Sequence, residues 1–230
     1  MPHPQPLRPA GQPVRTHSGE AEFRQAVAQV QAGLAVQREQ RTELSFEEEP
    51  PPRRLAPFAY AVAAAVSGDD DAEIGSGRFV LLFDAAGQQG WDGKHRIIGY
   101  IRAELEPEMA TDPLINAVGW SWLTEALDVC TSGYRKISGT VTTVVTQGFG
   151  GKQDEPTSTG FELRASWSPV GPPATGSPTP DGYAGTCDLD ALDLSAHIAA
   201  WCDCLSAAAG LEPPGTRALR QPVQRQPGHG

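Results

Sequence analysis

Apolar residues recur at intervals of three or four in three parts of the chain, which is the spacing of an amphipathic helix. The predicted helices cover about residues 20–40, 112–130 and 194–208. Ser18 is predicted to cap the first helix, and Asp112 followed by Pro113 is predicted to begin the second. The apolar stripe of the second helix is so wide that it needs cover on two sides. The members of this stripe are Ile115, Val118, Trp120, Trp122, Leu123, Ala126, Leu127 and Val129.

Six other segments alternate between apolar and polar residues or are rich in valine and threonine, and we predict that they are β-strands. They are Glu43–Glu49, Leu55–Val66, Gly77–Asp84, Lys94–Glu106, Lys136–Gln147 and Thr159–Ser168. The segment 55–66 also fits a helix, because Phe58, Val62 and Val66 recur at intervals of four. A strand is favoured there, because the next two segments resemble its hairpin partners and are joined by a predicted loop at Ala85–Gly93.

The order of the predicted elements indicates the fold class. Strands joined by hairpins are antiparallel, and the chain contains no repeated β-α-β pattern. We therefore predict a two-layer α+β domain in which three helices cover an antiparallel sheet of about five to six strands. The domain is predicted to occupy residues 19–210, with a flexible proline- and glycine-rich loop at 169–185 and disordered tails at 1–18 and 211–230.

Charge and composition exclude several classes of protein. The 230 residues carry a formal net charge of −10, with +2 on each predicted tail and −14 on residues 19–210. Because an acidic domain repels phosphate, we do not expect it to bind nucleic acid. The sequence lacks an apolar run long enough to span a membrane and an apolar signal segment near the N-terminus, and its four cysteines are too few for a disulfide scaffold. We therefore predict a cytoplasmic protein without membrane contact.

The sequence contains no strong pattern of catalytic or metal-binding residues. Cys202 and Cys204 lie two positions apart on a predicted helix, so their side chains diverge rather than face one ion. Asp84 and Glu104 have the oxygen ligands that Mg²⁺ prefers, but they are predicted to lie at opposite ends of a hairpin. We therefore predict no catalytic residues, no metal and no cofactor.

One face of the predicted strand 94–106, with the loop before it, is a candidate binding surface. Tryptophan and arginine are common anchors of interfaces. The candidate residues are Trp91, Asp92, Arg96, Tyr100, Arg102 and Glu104. The alternative interpretation is a solvated sheet face that carries cross-strand ion pairs. The helix 112–130 is a second candidate surface, and either surface could bind a protein partner or a second copy of the chain.

Three functions remain open from the residues alone, and one of them is nucleic-acid binding through the two basic tails, since the acidic domain itself repels phosphate. We expect a non-enzymatic binding or protein-interaction module, because an arginine- and tryptophan-bearing sheet face occurs without a recognisable catalytic pattern. The alternative is an enzyme that acts on a small anionic or phosphorylated substrate. In that hypothesis Arg96 and Arg102 clamp the anion and Glu104 acts as acid and base.

Several unusual strings of residues resemble one known family. The long strings are RAELEPEMATDP at 102–113 and GWSWLTEAL at 119–127. The shorter strings are RLAP at 54–57, WDG at 91–93, FGG at 149–151, RASW at 164–167 and AWCD at 200–203. Together they resemble an actinobacterial family known as domain of unknown function 3000, over about residues 20–213. The resemblance implies a bacterial cytoplasmic protein, and it offers no catalytic residues to transfer to this chain.

Overall fold

The computed structural model describes residues 14–68, 70–172 and 192–211 of the chain, with side chains from residue 19 onward. The predicted disordered tails and the predicted loop at 169–185 lie mostly outside these ranges. The elements, in chain order, are α1 (Val14–Gln40), β1 (Leu44–Glu49), β2 (Phe58–Ser67), β3 (Glu73–Gln88), β4 (Gly93–Glu104), α2 (Pro107–Ala110), α3 (Ile115–Cys130), β5 (Tyr134–Thr146), a short 3-10 helix (Gly150–Lys152), β6 (Ser158–Pro169) and α4 (Leu194–Ala208).

The six strands form one antiparallel sheet in the order β1-β2-β3-β4-β6-β5. The first four strands follow one another as neighbours, and β6 then inserts between β4 and β5. In the resulting register Tyr100 of β4 lies opposite Arg164 of β6, which in turn lies opposite Thr140 of β5. The α+β class and the antiparallel sheet are thus confirmed. The predicted segment 55–66 forms a strand and not a helix, although β2 begins at Phe58 and ends at Ser67.

Helices α1, α4 and α3 pack on one face of the sheet, with α4 in contact with both of the others. The core lies between the two layers, and its largest fully buried side chains are Trp167 of β6 and Trp201 of α4. Gly77 of β3 permits the close approach of α4, because a Cβ atom at this position would lie 2.7 Å from the Trp201 ring. Burial of these large apolar groups supplies the main stabilisation of the fold. Within the described ranges, no helix is long and apolar enough to cross a membrane.

Both predicted helix starts were wrong. Helix α1 begins at Val14, so position 18 lies inside the helix and not at its start. Helix α3 begins at Ile115, and its first residue is preceded by Leu114 rather than by an aspartate cap. The Oδ1 atom of Asp112 accepts a hydrogen bond from the Leu114 amide at 2.8 Å, so this carboxylate closes a turn in front of the helix.

The strand boundaries also differ from the prediction. Strand β3 continues to Gln88, which shortens the connection predicted at Ala85–Gly93 to residues 89–92. Strand β4 ends at Glu104 and not at Glu106, and the short helix α2 lies where a turn was predicted. Proline is favoured in the first turn of a helix, and Pro107 begins α2.

The buried stripe of α3 differs from the predicted one. Val118 is 40% exposed and Val129 is 84% exposed, although both were predicted to belong to the apolar stripe. The buried residues of α3 are Ile115, Gly119, Leu123 and Leu127. Gly119 belongs to this set because the ring of Phe161 occupies the space of its missing side chain. The prediction considered only apolar side chains, so it did not identify Gly119 as buried and misplaced the centre of the buried stripe.

Candidate functional site

The face of the sheet opposite α1, α3 and α4 carries the candidate site, and we call it the open face. Alternation along β4 places Ile97 and Ile101 in the core and Arg96, Ile98 and Tyr100 on the open face. A small apolar cluster also lies on the open face. It consists of Ala61, Val80 and Leu82, with Ala56, Ala59, Trp91 and Ile98 packed against them. The open face therefore combines apolar surface with arginine side chains.

A groove of about 810 Å³ crosses the open face over strands β4, β6 and β5. The groove is broad and largely open to solvent. Its apolar side is formed by Leu55, Leu82, Trp91 and Ile98. Its polar side is formed by Arg96, Ser138, Thr140, Arg164 and Ser166. This combination of an apolar wall with a few polar groups is typical of a ligand-binding groove.

Arg96 is a buried charge in the wall of this groove, with only 8% of its surface exposed. Its guanidinium donates hydrogen bonds to the carbonyl oxygen of Ser166 at 3.1 Å, to Ser166 Oγ at 2.7 Å and to Ser168 Oγ at 3.3 Å. All three acceptors are neutral, and none of the ion pairs among the described residues includes Arg96. Burial lowers the pKa of Arg96 below its ordinary value. A buried cation without a carboxylate partner is costly, and an anion in the groove would offset this cost.

The connection between β3 and β4 holds Trp91 over the groove. The Trp91 amide donates to the carbonyl oxygen of Gln88 at 2.9 Å, and the Trp91 carbonyl accepts a hydrogen bond from Ser168 Oγ. Asp92 has a φ of 59°, a left-handed conformation that aspartate tolerates better than most residues. Its carboxylate pairs with Arg135 at 3.6 Å. Asp92 therefore ties the hairpin to β5 instead of lining the groove.

The other predicted site residues lie farther along β4. Tyr100 lines a second, smaller depression of about 360 Å³ near β1 and β2, which is less open to solvent than the groove. The guanidinium of Arg164 lies 5.5 Å from the centre of the Tyr100 ring. Arg102 and Glu104 are exposed near the end of the strand, opposite Glu162 and Gly160 of β6. The structure thus brings Trp91 and Arg96 together in the groove and separates them from Arg102 and Glu104.

Most residues of the groove were not among the predicted site residues. They include Leu55, Ser138, Thr140, Arg164 and Ser166. The alternation of β6 already indicated that Arg164 and Ser166 face away from the core. Their position beside Arg96 depends on the insertion of β6 next to β4, which the order of elements along the chain does not reveal.

The histidines and cysteines of the described chain lie away from the groove. Burial lowers the pKa of His95, and also that of His197, to about 4. Burial raises the pKa of the Cys130 thiol to about 11 and that of the Cys204 thiol to about 12, and it also raises the pKa of Cys202. These cysteines are therefore neutral thiols near pH 7. Within the described ranges, no group of three or more His, Cys, Asp or Glu residues could hold a metal ion.

Comparison with known proteins gives one match. The family model described as "Protein of unknown function (DUF3000)" matches residues 20–217, which include the sheet, the groove and the packed helices. No curated protein and no solved structure matches the chain significantly.

Proposed function

This chain belongs to the DUF3000 family, and we propose that it is a non-enzymatic binding module whose groove holds a negatively charged group. The observation that carries the proposal is the buried guanidinium of Arg96, which has only neutral acceptors among the described residues. A cytoplasmic and actinobacterial setting, implied by the earlier resemblance, is part of the same proposal.

The geometry around Arg96 favours an oxyanion as the bound group. Guanidinium presents several N–H donors in one plane, which suits the paired oxygens of a carboxylate or a phosphate. Arg164 supplies a second cation to the groove, although Glu162 accepts a hydrogen bond from it at 3.0 Å. The hydroxyl groups of Ser138 and Thr140 provide further donors on the β5 side.

Trp91 and its neighbours favour an apolar group next to the anion. Trp91 is half-buried, and it packs against the cluster that includes Leu82 and Ile98. Tryptophan at the border of a groove provides a large contact area at a low cost in conformational entropy. We therefore propose a ligand or partner segment that carries an oxyanion beside an apolar portion.

The alternative hypothesis of an enzyme has less support from the geometry. Arg96 and Arg102 lie six positions apart on one strand, which is about 20 Å at a rise of roughly 3.3 Å per residue. Glu104 lies still farther from Arg96 on the same strand. Two arginines and a carboxylate at these separations do not converge on one small substrate.

A thermal-shift experiment on the full chain tests the proposal. Inorganic phosphate and acetate serve as separate probes, because they distinguish a phosphate-binding groove from a carboxylate-binding one, and sodium chloride keeps the ionic strength constant. We expect one of the two anions to raise the Tm in a saturable manner. At one hundred times its Kd, the bound anion should increase the free energy of unfolding by about 2.7 kcal/mol.

Two variants locate the effect, and one serves as the matched control. Arg96→Gln should abolish the shift. Arg164→Gln should weaken the shift, and because Arg164 is exposed, this substitution should not impair folding. Arg102→Gln removes the same charge from an exposed position of β4 outside the groove, and it should leave the shift unchanged. A shift of equal size in Arg96→Gln, or the absence of a shift with both anions in the wild type, would contradict the proposal.

A further inference from the structure

The outer edge of strand β5 is an unprotected sheet edge within the described part of the chain. Among the described residues, strand β5 pairs only with β6. The backbone hydrogen bonds of the described loops and turns do not involve the outer edge of β5. The register with β6 is regular from Ser138 to Thr146, and this stretch contains no charged residue and no proline. Val144, Val145 and the following Phe149 account for three of the nine exposed large hydrophobic residues of the described chain.

The opposite edge of the sheet is protected in the usual ways. Strand β1 is only six residues long and ends in Glu47, Glu48 and Glu49. Three prolines follow it, and proline cannot donate a backbone hydrogen bond to a neighbouring strand. Short length, charge and proline are devices that prevent a sheet edge from pairing with another chain. Because β1 has all of them and β5 has none from Ser138 onward, the two edges have different roles.

We propose that the outer edge of β5 pairs antiparallel with β5 of a second copy of the chain, which joins two sheets into one across a twofold axis. Self-pairing of Ser138–Thr146 opposes only serine, glycine, threonine and valine residues, so it brings no like charges together. Threonine and valine pairs across strands are favourable. An equivalent pairing of β1 would bring Glu47, Glu48 and Glu49 of both copies into one short interface.

The composition of the remaining chain also favours a second copy as the occupant. Residues 1–13 contain five prolines, and 212–230 contain four. Residues 173–191 contain three prolines and three aspartates, and both residue types are depleted in strands. None of these sequences resembles the uninterrupted threonine and valine stretch that β5 itself provides for pairing.

This pairing would place the second copy beside the groove. Ser138 and Thr140 of β5 line the groove on its outer side. The second copy's β5 would continue the sheet next to these residues and extend the groove floor across the twofold axis. This consequence alone rests on the proposed function, whereas the pairing itself follows from the edge.

Sedimentation equilibrium of the full chain tests the pairing. The wild type should have twice the chain mass of 24.4 kDa at micromolar concentrations. Thr142→Lys places a cation at an exposed open-face position of β5 and should weaken dimerisation by about fivefold, which is the upper range for like charges opposed across strands. The fold should survive, because Glu162 lies opposite Thr142 on β6. Ser45→Lys is the matched control, because it makes the same change at an exposed position of β1, and it should leave the mass unchanged.

Hydrogen exchange distinguishes a second copy from the other possible occupants of the edge. Amides of β5 should become more protected as the concentration of the chain rises. A monomeric mass at all concentrations would overturn the proposal, whether the β5 amides exchange rapidly or are protected by another segment of the same chain. A dimer that Thr142→Lys does not weaken would overturn it as well.

Discussion

Gly119 controls how closely helix α3 approaches the sheet. A Cβ atom at this position would lie 2.3 and 2.6 Å from two ring carbons of Phe161, closer than real Cβ atoms come to other atoms. Phe161 is fully buried in β6, so its ring has little room to move. Glycine lowers the helix propensity of α3, but its lack of a side chain allows the helix and the sheet to pack closely.

Gly119→Ala should destabilise the protein although alanine favours the helix. We expect a loss of about 1–3 kcal/mol in the free energy of unfolding, which is typical of overpacking in a core. Urea denaturation measures this loss. The control is Gly160→Ala, where the nearest atom to the new Cβ would be a carbonyl oxygen 3.9 Å away, and we expect a much smaller change. Equal stability of Gly119→Ala and the wild type would show that the layers are less tightly packed than described.

His95 and His197 are neutral groups buried on the helix side of the sheet. Burial lowers the pKa of each to about 4, with a further decrease at His95 from the charge of Lys94 and a smaller opposing effect at His197 from Asp193. The Nδ1 atom of His197 accepts a hydrogen bond from the Trp167 indole at 3.2 Å, so protonation of that nitrogen would remove the acceptor.

These histidines predict a decrease in stability on acidification. Between pH 6.5 and about 4 the unfolded chain binds protons at both positions and the folded chain does not, so stability is lost as the pH falls through this window. We expect a loss of up to about 3 kcal/mol for each histidine. Urea midpoints at pH 7 and pH 5 measure the loss. His95→Phe should reduce the decrease in midpoint between these two pH values. A constant midpoint from pH 7 to pH 5 would contradict the burial of both rings.

Individual residues of the site were only partly predictable. The alternation of apolar residues in β4 assigned Arg96 to the face opposite Ile97, and it was right because a strand has a period of two. The same pattern gave no sign that Arg96 is buried or that Ser166 and Ser168 accept its hydrogen bonds. Those partners come from β6, so their identity depends on strand order and register rather than on local sequence.

At the scale of the elements, Arg41 connects the three helices that cover the sheet. It follows α1 and donates to Gln37 of the same helix at 3.1 Å and to Ser206 of α4 at 3.0 Å. It also pairs with Asp203 of α4, whose other oxygen lies 3.4 Å from the thiol of Cys130 in α3. Arg41 is only 3% exposed, so its bonds to Gln37 and Ser206 are protected from water, whereas the Asp203 side chain is 40% exposed.

Arg41→Ala should destabilise the layer of helices. We expect a loss of about 2–3 kcal/mol, because the variant leaves Asp203, Gln37 and Ser206 without their shared donor. Thermal and urea unfolding measure the loss. Arg24→Ala is the control, because Arg24 pairs with Glu20 on the exposed surface of α1 and should contribute less than about 1 kcal/mol. A loss for Arg41→Ala as small as that for Arg24→Ala would contradict a connecting role.

The existence and type of the long elements were predictable, whereas their ends were not. Six strands and three long helices follow from apolar spacing, because one face of each element is buried against the other layer. The start of α3 was placed too early because Asp112 has the side chain of a helix cap but closes a turn instead. Strand β3 extends to Gln88, past the last strongly apolar residue, because pairing with β4 rather than burial holds its end.

At the scale of the whole molecule, the fold leaves one face of a six-stranded sheet without cover from α1, α3 or α4. The open face holds the groove, and the unprotected β5 edge borders it. Ligand binding at Arg96 and pairing through β5 would both involve surfaces that α1, α3 and α4 do not cover. Neither depends on the buried histidines or cysteines.

The insertion of β6 between β4 and β5 is the feature of the whole molecule that the sequence did not reveal. Hairpin spacing predicts sequential neighbours, and β4 is separated from β6 along the chain by α2, α3 and β5. Long-range pairing of this kind is decided by the fit of complete layers rather than by local patterns. The groove exists because of this pairing, since its polar wall combines β4, β6 and β5.

The central claim, that the groove beside Arg96 binds an oxyanion, is tested most directly by an NMR titration of the ¹⁵N-labelled full chain. Inorganic phosphate or acetate is added at constant ionic strength, and Trp91→Phe assigns the indole resonance of Trp91. We expect saturable shifts of that indole and of the amides of Arg96 and Ser166, while the indole of Trp201 on the helix side remains unchanged. Shifts that do not saturate with either anion, or that fall only outside the groove, would contradict the account.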